Sequence, residues 1–492
     1  MGYYKNKSNK TEKMINRLHK VIERCVHNNQ IESALEAIMA CAHLLSTYVI
    51  DSDDYLERKV IELSDYLVDT SVLSKNADNR ILFYDGICND ARGLKLVYIN
   101  ALLNLGYDIT YVVDDRYENY ANQKELQKLV KDKSFQLVSF KYTREILPRI
   151  KALNNIVGQV SPSYTFIYAF PHDVLAAVVF SAFEQVLKRF KIVLSDMNYN
   201  IGNNMADIFI EYREYGIDFA VKKRHIPVER EALLPLFPYF DSKKIFHGFP
   251  FLNVDGKRIV FSGGVTHKIE DPNRTFLNVV EKMLEYPDVL FLYAGYSPKT
   301  PDNGLIQLKE HYPGRVELIP ERDDLFQIME NCDFYLDTYP IAGGLMVNFA
   351  LAAGTIPLSM TVDCKVLCKT SSLMKEIYFS DSDELLKEFD RLYTDNIYYD
   401  NQKKKILEGY LSQTEYEEEL QNILNGCISR ENYMYENFEE EYQSLRKVFF
   451  EDFSYDYFVN HIICRDDYWS LRNILFSYFF RKRISNFLKF FK

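Results

Sequence analysis

Two short glycine pairs stand at positions where a protein chain can bind phosphate. The first, Gly263-Gly264, follows the apolar run Ile259 to Ser262, and Lys268 lies just beyond it, before a predicted helix. Without a Cβ, such a loop lets backbone N–H groups approach a phosphate, and the nearby lysine adds positive charge. Tight turns between a strand and a helix also use glycine routinely, so this pair alone does not separate the two interpretations.

The second pair, Gly343-Gly344, repeats the arrangement. It follows a strand ending at Asp337 and precedes a helix predicted to begin near Leu345 or Met346. A helix N-terminus attracts anions through its free N–H groups and its dipole. Because ligands of open α/β sheets bind at the carboxyl ends of the strands, both loops are expected at one site. Together they predict a diphosphate site with these residues: Gly263, Gly264, Lys268, Gly343, Gly344 and Leu345.

Three side chains in the first half of the chain are candidates for proton transfer. His172 and Asp173 lie in the segment Pro171-His172-Asp173, and Asp196 ends the apolar run KIVLSD. Asp, Glu and His are the usual groups that remove a hydroxyl proton. Asp173 also stands where a helix N-cap is expected, and this structural interpretation remains open beside the catalytic one.

Alternating strands and helices must position these residues. A strand is predicted at Arg80 to Asp85, a helix at Leu94 to Leu105, and the next strand at DITYVVDD. Together these three elements form a βαβ unit. Further strands are expected at FQLVSF, NIVGQV, KIVLSD and ADIFIEY. A second alternating series runs from KRIVFSGG to TIPLSM. The sequence therefore predicts an α/β protein with two facing Rossmann-like domains and a cleft between them.

Four regions follow from this pattern. Residues 1–78 predict a helical hairpin, interpreted as a cap on the first domain rather than as part of a tetratricopeptide-like array, because one such unit cannot form a solenoid. Residues 79–240 form the N-terminal Rossmann-like domain and residues 241–430 the C-terminal one. Residues 431–492 form a helical tail, and the chain after Ser371 is expected to wrap back over the domains.

The composition and a few local motifs argue against several classes of protein. The net charge of -11 over 492 residues argues against a nucleic-acid binder. The eight cysteines form no CxxC and no zinc-finger spacing, which fits a reducing cytoplasm. The acidic motif Asp381-Ser382-Asp383 is interpreted as a helix cap, so no catalytic metal is expected. Neither an apolar signal segment nor a membrane-spanning run is present in the sequence.

The two glycine loops also carry a family resemblance. The segment from Thr266 through Lys268 to Pro272 resembles the Lys-Ile-Asp-Pro segment of protein O-GlcNAc transferases, whose lysine contacts the donor diphosphate. The stretch from Asp337 to Thr355 is similar to their second phosphate loop and its helix. This resemblance, clear over about residues 259–360, indicates the GT-B glycosyltransferase superfamily. It implies a nucleotide diphosphate sugar as substrate, UDP-linked, with the C-terminal half as donor domain, no further cofactor and no metal. It also places Asn348 among the donor-binding residues, at the position of a ribose ligand.

The resemblance also assigns the N-terminal half to the acceptor, because the first loop of that sheet faces the cleft in GT-B enzymes. Asp85, Asn89 and Arg92 are then the expected acceptor-side residues, and a solvated surface loop is the alternative. An inverting reaction would take its base from the three candidates named above. The expected acceptor is a glycan, a lipid-linked molecule or a protein, in bacterial surface polysaccharide or glycoconjugate synthesis.

The C-terminal tail suggests where this reaction occurs. From Tyr468 to Lys492 it holds six basic residues and no acid, interleaved with aromatic side chains. This pattern indicates a peripheral contact with an anionic membrane, so the protein is expected in the cytoplasm at the inner face of the cell membrane. A closing helix docked on the body is the alternative interpretation.

Two other functions remain open on the sequence. Gly344-Leu345-Met346 replaces the polar residues that contact phosphate in the O-GlcNAc transferases, and Asn348 or Phe349 replaces an acidic ribose ligand. A non-catalytic GT-B partner of an active glycosyltransferase would show such changes. A sugar-nucleotide epimerase of the same fold would convert a donor without any acceptor.

Overall fold

The computed structural model describes residues 2–47, 51–73, 79–88, 93–116, 123–241, 244–298, 302–361, 377–428 and 437–450. The chain opens with three helices, α1 (Gly2–His27), α2 (Ile31–Thr47) and α3 (Asp54–Leu67). Asn29 adopts a left-handed conformation, φ 56°, between the first two. The predicted helical hairpin is therefore confirmed.

The first sheet has seven parallel strands in the order β3-β2-β1-β4-β5-β6-β7. Its strands are β1 (Arg80–Asp85), β2 (Asp108–Asp114), β3 (Phe135–Phe140), β4 (Tyr164–Tyr168), β5 (Lys188–Ile192), β6 (Ile208–Glu211) and β7 (Glu231–Leu233). Its helices are α4 (Leu94–Asn104), α5 (Gln123–Leu129), α6 (Ile146–Val160), α7 (Val174–Ser181) and α8 (Glu214–Lys222). The strand order, in which β1 lies between β2 and β4, is that of a Rossmann-like domain.

One predicted strand is wrong. The segment NIVGQV lies in α6, because Ile146, Ile150, Leu153 and Val157 are buried on one face of that helix at spacings of three and four residues. The strand that this prediction missed is β4, which begins only at Tyr164. In addition, the strand expected at KIVLSD begins earlier, at Lys188, and ends at Ile192.

The second sheet has six parallel strands in the order β10-β9-β8-β11-β12-β13. They are β8 (Arg258–Gly263), β9 (Val289–Ala294), β10 (Val316–Ile319), β11 (Phe334–Leu336), β12 (Ile356–Met360) and β13 (Tyr378–Phe379). The helices of this half are α9 (Thr275–Met283), α10 (Asn303–His311), α11 (Leu325–Glu330), α12 (Leu345–Ala353), α13 (Ser382–Thr394), α14 (Asn396–Gly409), α15 (Gln413–Asn425) and α16 (Phe438–Phe450). Every strand of the predicted second series is present.

The end of the chain returns to the first domain, as predicted. Tyr416 of α15 packs edge-on against Tyr98 of α4, with ring centroids 6.0 Å apart. The Asn104 amide donates to the Glu417 carboxylate at 2.7 Å. Further along, Phe438 and Tyr442 of α16 pack in one cluster with aromatic residues of α8. The basic aromatic tail itself lies outside the described residues. Of the helices described, none combines the length and the apolarity needed to cross a membrane.

The N-terminal helices pack on the first domain through α6 and α7. A single carboxylate adds a polar link. Glu57 of α3 accepts hydrogen bonds from the Tyr199 hydroxyl at 2.5 Å and from the backbone N–H of Asn203 at 2.7 Å and of Gly202 at 3.1 Å. The arrangement confirms contact between the predicted cap and the first domain.

We expect Glu57→Ala to lower the free energy of unfolding by about 2 to 4 kcal/mol, because three donors would lose their acceptor. Chemical denaturation of the full-length protein measures this change. Glu62→Ala is the matched control: that side chain lies in the same helix, 51% exposed, and pairs with Lys59. We expect the control to stay within about 0.5 kcal/mol of the original protein. Equal losses in both variants would contradict the proposed link.

Candidate functional site

The first glycine loop is packed against the end of the neighbouring strand. Gly264 donates its backbone N–H to the Ala294 carbonyl at 3.0 Å, and its own carbonyl accepts from the Tyr293 hydroxyl at 3.1 Å. A Cβ at Gly295 would lie 2.5 Å from the Gly264 carbonyl oxygen. The loop after β8 therefore needs glycine at Gly295, a position that the sequence analysis did not single out.

Lys268 joins the two glycine loops. It lies in a short 3-10 segment, Thr266–Ile269. Its ammonium group donates to the Ala342 carbonyl at 3.2 Å, and its backbone carbonyl accepts from the N–H of Ile341 at 3.3 Å. The structure thus brings together the loops that were expected to form one diphosphate site.

Asp337 organises the second loop from inside the domain. One carboxylate oxygen accepts from the N–H of Gly343 at 2.7 Å, the N–H of Thr338 at 2.9 Å and the Tyr335 hydroxyl at 3.0 Å. The other oxygen accepts from the Ser359 hydroxyl at 3.1 Å. Burial raises the pKa of Asp337, while these four hydrogen bonds favour the carboxylate. The sequence analysis did not predict this role. An acidic residue at the end of a strand, directly before a glycine loop, is the sequence feature that could have indicated it.

The two glycines of this loop differ in their surroundings. A Cβ at Gly343 would lie 2.7 Å from both the Asp337 carboxylate and the Tyr335 hydroxyl. Gly344, at φ 56°, faces open space and precedes α12, which begins at Leu345 as predicted. The first N–H groups of a helix have no acceptor within it. The start of α12 is therefore suited to an anion.

Asn348 is buried and hydrogen-bonded within the fold. It is 1% exposed, and its amide donates to the Gly344 carbonyl at 3.4 Å. Its oxygen accepts from the Tyr410 hydroxyl at 3.2 Å, which also donates to the Leu236 carbonyl. Asn348 therefore connects the donor loop with the returning chain and with the segment between the two domains. Its role in donor binding stays a prediction.

In the first domain, Asp85 forms an internal ion pair. Its carboxylate lies 2.6 Å from the Lys95 ammonium group, and both side chains are fully buried. It also accepts from the Tyr111 hydroxyl and from the N–H groups of Ile87 and Cys88. The carboxylate thus shapes the start of the first loop from within. Asn89 and Arg92, the other predicted acceptor-side residues, lie outside the described residues.

Asp173 caps α7, as the structural interpretation predicted. One oxygen accepts from the N–H of Ala176 at 3.0 Å and the other from the Tyr84 hydroxyl at 3.1 Å. Burial raises the pKa of Asp173. The neighbouring His172 is half-buried, and its ring stacks on His43 of α2 with centroids 4.2 Å apart. The first sheet thus places His172 and Asp173 together after β4.

Asp196 is held in a buried ion pair with Arg213, whose Nη2 lies 2.9 Å from one carboxylate oxygen. That oxygen also accepts from the Tyr212 hydroxyl at 2.8 Å. Asp196 thus occupies the Arg213 guanidinium. Burial and the adjacent Asp196 charge raise the pKa of Glu211 to about 8.

The geometry therefore separates the predicted residues into two groups. The donor-site residues Gly263, Gly264, Lys268, Gly343, Gly344 and Leu345 lie in two loops that contact each other at the carboxyl edge of the second sheet. The candidate bases lie after β4 and β5 of the first sheet. This arrangement can bind a diphosphate through backbone N–H groups and one ammonium group.

No family model and no curated protein sequence matches this chain. Solved structures do match its fold. An O-GlcNAc transferase variant from Thermobaculum terrenum is 15% identical over 89% of this chain and 83% of its own, with a TM-score of 0.52. Anabaena HepE in complex with UDP-glucose is 12% identical over 70% of this chain and 99% of its own, with a TM-score of 0.51. A glycosyltransferase from Rickettsia africae is 12% identical over 76% of this chain and 98% of its own, with a TM-score of 0.50.

These similarities establish the fold. The chain has the α/β architecture of two facing Rossmann-like domains found in GT-B glycosyltransferases, with helical parts at both ends. The resemblance seen in the two glycine loops is thereby confirmed at the level of the fold.

We expect Gly343→Ala to lower the free energy of unfolding by about 1 to 3 kcal/mol, because the added Cβ would displace the Asp337 carboxylate or the Tyr335 hydroxyl. Gly409→Ala is the control: its Cβ would meet nothing within 4 Å, at the end of α14. In a helix, alanine is favoured over glycine by roughly 0.5 to 1 kcal/mol. Denaturant midpoints compare the two variants, and an unchanged midpoint in Gly343→Ala would contradict the tight packing described here.

Proposed function

We propose that this protein is a glycosyltransferase that moves a sugar from a nucleotide diphosphate sugar, UDP-linked, to an acceptor hydroxyl. The observation that carries the proposal is the contact between the two glycine loops through Lys268, at the carboxyl edge of the second sheet. Support comes from the fold shared with Anabaena HepE, whose structure contains UDP-glucose, and with the other two transferases.

The second domain would bind the donor through charge and dipoles. As the sugar leaves, negative charge grows on the diphosphate, and groups already placed around it lower the barrier. Lys268 supplies an ammonium group, while Gly344 and Leu345 supply backbone N–H groups at the start of α12. These residues therefore perform the charge stabilisation in the proposed mechanism.

The first domain would supply the base, and we assign this role to His172. The oxygens of the Asp196 carboxylate are occupied by the Arg213 guanidinium and the Tyr212 hydroxyl. Both oxygens of Asp173 are occupied by the α7 cap and the Tyr84 hydroxyl. His172 is half-buried after β4, at the carboxyl edge of the first sheet. A neutral imidazole there would accept the acceptor's hydroxyl proton as the new glycosidic bond forms.

The proposed acceptor is a glycan, a lipid-linked molecule or a protein, in bacterial surface polysaccharide or glycoconjugate synthesis. We further propose that the tail beyond α16 contacts the inner face of the cell membrane through its basic and aromatic residues. The last helix described, α16, packs on α8 of the first domain, the half assigned to the acceptor.

We expect Lys268→Ala to weaken UDP binding by roughly 10- to 100-fold, because a hydrogen bond to a charged group contributes about 1.5 to 3 kcal/mol. Calorimetric titration of the purified protein with UDP, GDP, TDP and CMP measures the affinities. Lys282→Ala is the control, since that side chain is 60% exposed on α9 and pairs with Glu285. Equal UDP affinity in both variants would exclude the phosphate role of Lys268. If the folded original protein binds none of the nucleotides, the non-catalytic partner becomes the better explanation.

We expect His172→Gln to lower kcat by about 100- to 10,000-fold while leaving UDP affinity unchanged, because only proton removal is lost. Sugar transfer from labelled UDP-sugars, with cell extract as the source of acceptors, provides the assay. His311→Gln, at the exposed end of α10, should keep full activity. A normal rate in His172→Gln would refute its role as base. Conversion of the UDP-sugar to an isomer without any extract would instead indicate an epimerase.

A further inference from the structure

Three side chains of the N-terminal helices place metal-binding atoms around one point. They are His19 of α1, Cys41 of α2 and Asp53, which immediately precedes α3. Their ligand atoms all lie within 4.8 Å of one another, and His19 Nε2 lies 2.8 Å from Asp53 Oδ2. These elements carry none of the residues of the proposed donor site.

The Cys41 thiol is the unusual member of this cluster. It is fully buried, and among the residues that the structure describes none forms a hydrogen bond with it. Burial raises the pKa of this thiol, and the nearby Asp53 charge raises it further. Cys25 of α1 is also buried, but among the described residues it belongs to no cluster with an imidazole and a carboxylate. Ordinary packing thus explains Cys25 and leaves the surroundings of Cys41 unexplained.

We propose that His19 Nε2, Cys41 Sγ and Asp53 Oδ2 bind a Zn²⁺ ion, with water as the fourth ligand. A combination of thiolate, imidazole and carboxylate suits Zn²⁺ better than Mg²⁺ or Ca²⁺, which prefer oxygen ligands alone. Tetrahedral zinc, with bonds of about 2.0 to 2.3 Å, places its ligand atoms roughly 3.3 to 3.8 Å apart. Side-chain adjustments of about 1 Å therefore bring the three atoms to bonding distance.

The proton and charge balance is favourable for a buried site. Binding releases the proton of the Cys41 thiol, and the His19 ring keeps a single proton, on Nδ1. One thiolate and one carboxylate then offset the two charges of the ion, so the site is neutral. Asp53 Oδ1 still accepts from the N–H of Leu56 at 3.0 Å, so the cap of α3 is preserved.

A neighbouring side chain already orients the imidazole. The Tyr55 ring packs on the His19 ring with centroids 4.3 Å apart, and its hydroxyl donates to the His19 carbonyl at 3.1 Å. Such contacts around a ligand hold its ring in position. The ion would link α1, α2 and the start of α3. Glu57, one turn further along α3, makes the hydrogen bonds to the first domain. Zinc would therefore fix the helical region against that domain.

The test uses the full-length protein, purified without chelators and dialysed. Elemental analysis should find about one zinc ion per chain. After chelation and addition of Co²⁺, the near-ultraviolet absorption of a thiolate–cobalt bond should appear in the original protein and in Cys25→Ser, and be absent in Cys41→Ser. Protein without zinc that gains no such absorption would overturn the proposal. So would equal absorption in Cys41→Ser.

A second variant keeps the proposal testable if Cys41→Ser fails to fold. His19 is 20% exposed, so His19→Gln should fold while binding Co²⁺ at least about 10-fold more weakly. EDTA should lower the Tm of the original protein and of Cys25→Ser, and leave the Tm of His19→Gln nearly unchanged. A Tm that is insensitive to EDTA in all three proteins would show that the cluster is only a hydrogen-bonded His–Asp pair.

Discussion

The proposed donor site depends on one buried carboxylate. Asp337 lies inside the second domain, where an unpaired charge would be strongly unfavourable, so its oxygens must be saturated with hydrogen-bond donors. Two of those donors are backbone N–H groups of the loop that it precedes. The loop therefore turns inward as far as Gly343, and only then does the chain turn outward into α12. Lys268 contacts the carbonyl of Ala342, next to that inward turn, so the position of its ammonium group follows from the same constraint.

The first domain uses the same device with different partners. Asp85 and Asp196 also follow strands and are also buried, but Lys95 and Arg213 neutralise them. A strand-end acid is thus a structural element in both domains. From the sequence alone, Asp85 and Asp196 looked like residues for the cleft, because a polar residue after an apolar strand has the same pattern in either role. The structural role depends on contact with a cationic side chain, which lies 10 residues from Asp85 and 17 residues from Asp196 along the chain. The local sequence pattern does not show these contacts.

The parts of the fold that were predictable are those controlled by local periodicity. The strands of the second series alternate with helices, and the two glycine loops were expected to meet because strands of a parallel sheet end at the same edge. The strand predicted at NIVGQV was wrong because a short apolar run fits a strand and one face of a helix equally well. Asn348 was assigned to the donor through the family resemblance, because it stands at the position of a ribose ligand. Its partner Tyr410 is 62 residues away, and only the folded chain reveals it.

Because the first turn of α12 is apolar, the proposed site would bind phosphate through backbone groups there and not through side chains. Met346 is 3% exposed and packs in the core, so a polar residue at that position would have to be buried. Leu345 remains at the first turn, where its backbone N–H, not its side chain, is the group suited to a phosphate. Binding through backbone groups requires an accurate loop conformation, because no flexible side chain can compensate for an error. The precision has to come from Asp337, Gly343 and the close contact of Gly295 with the first loop. For the same reason, the loss of polar side chains at residues 345–346 does not by itself distinguish a non-catalytic partner from an enzyme that binds its donor through the main chain.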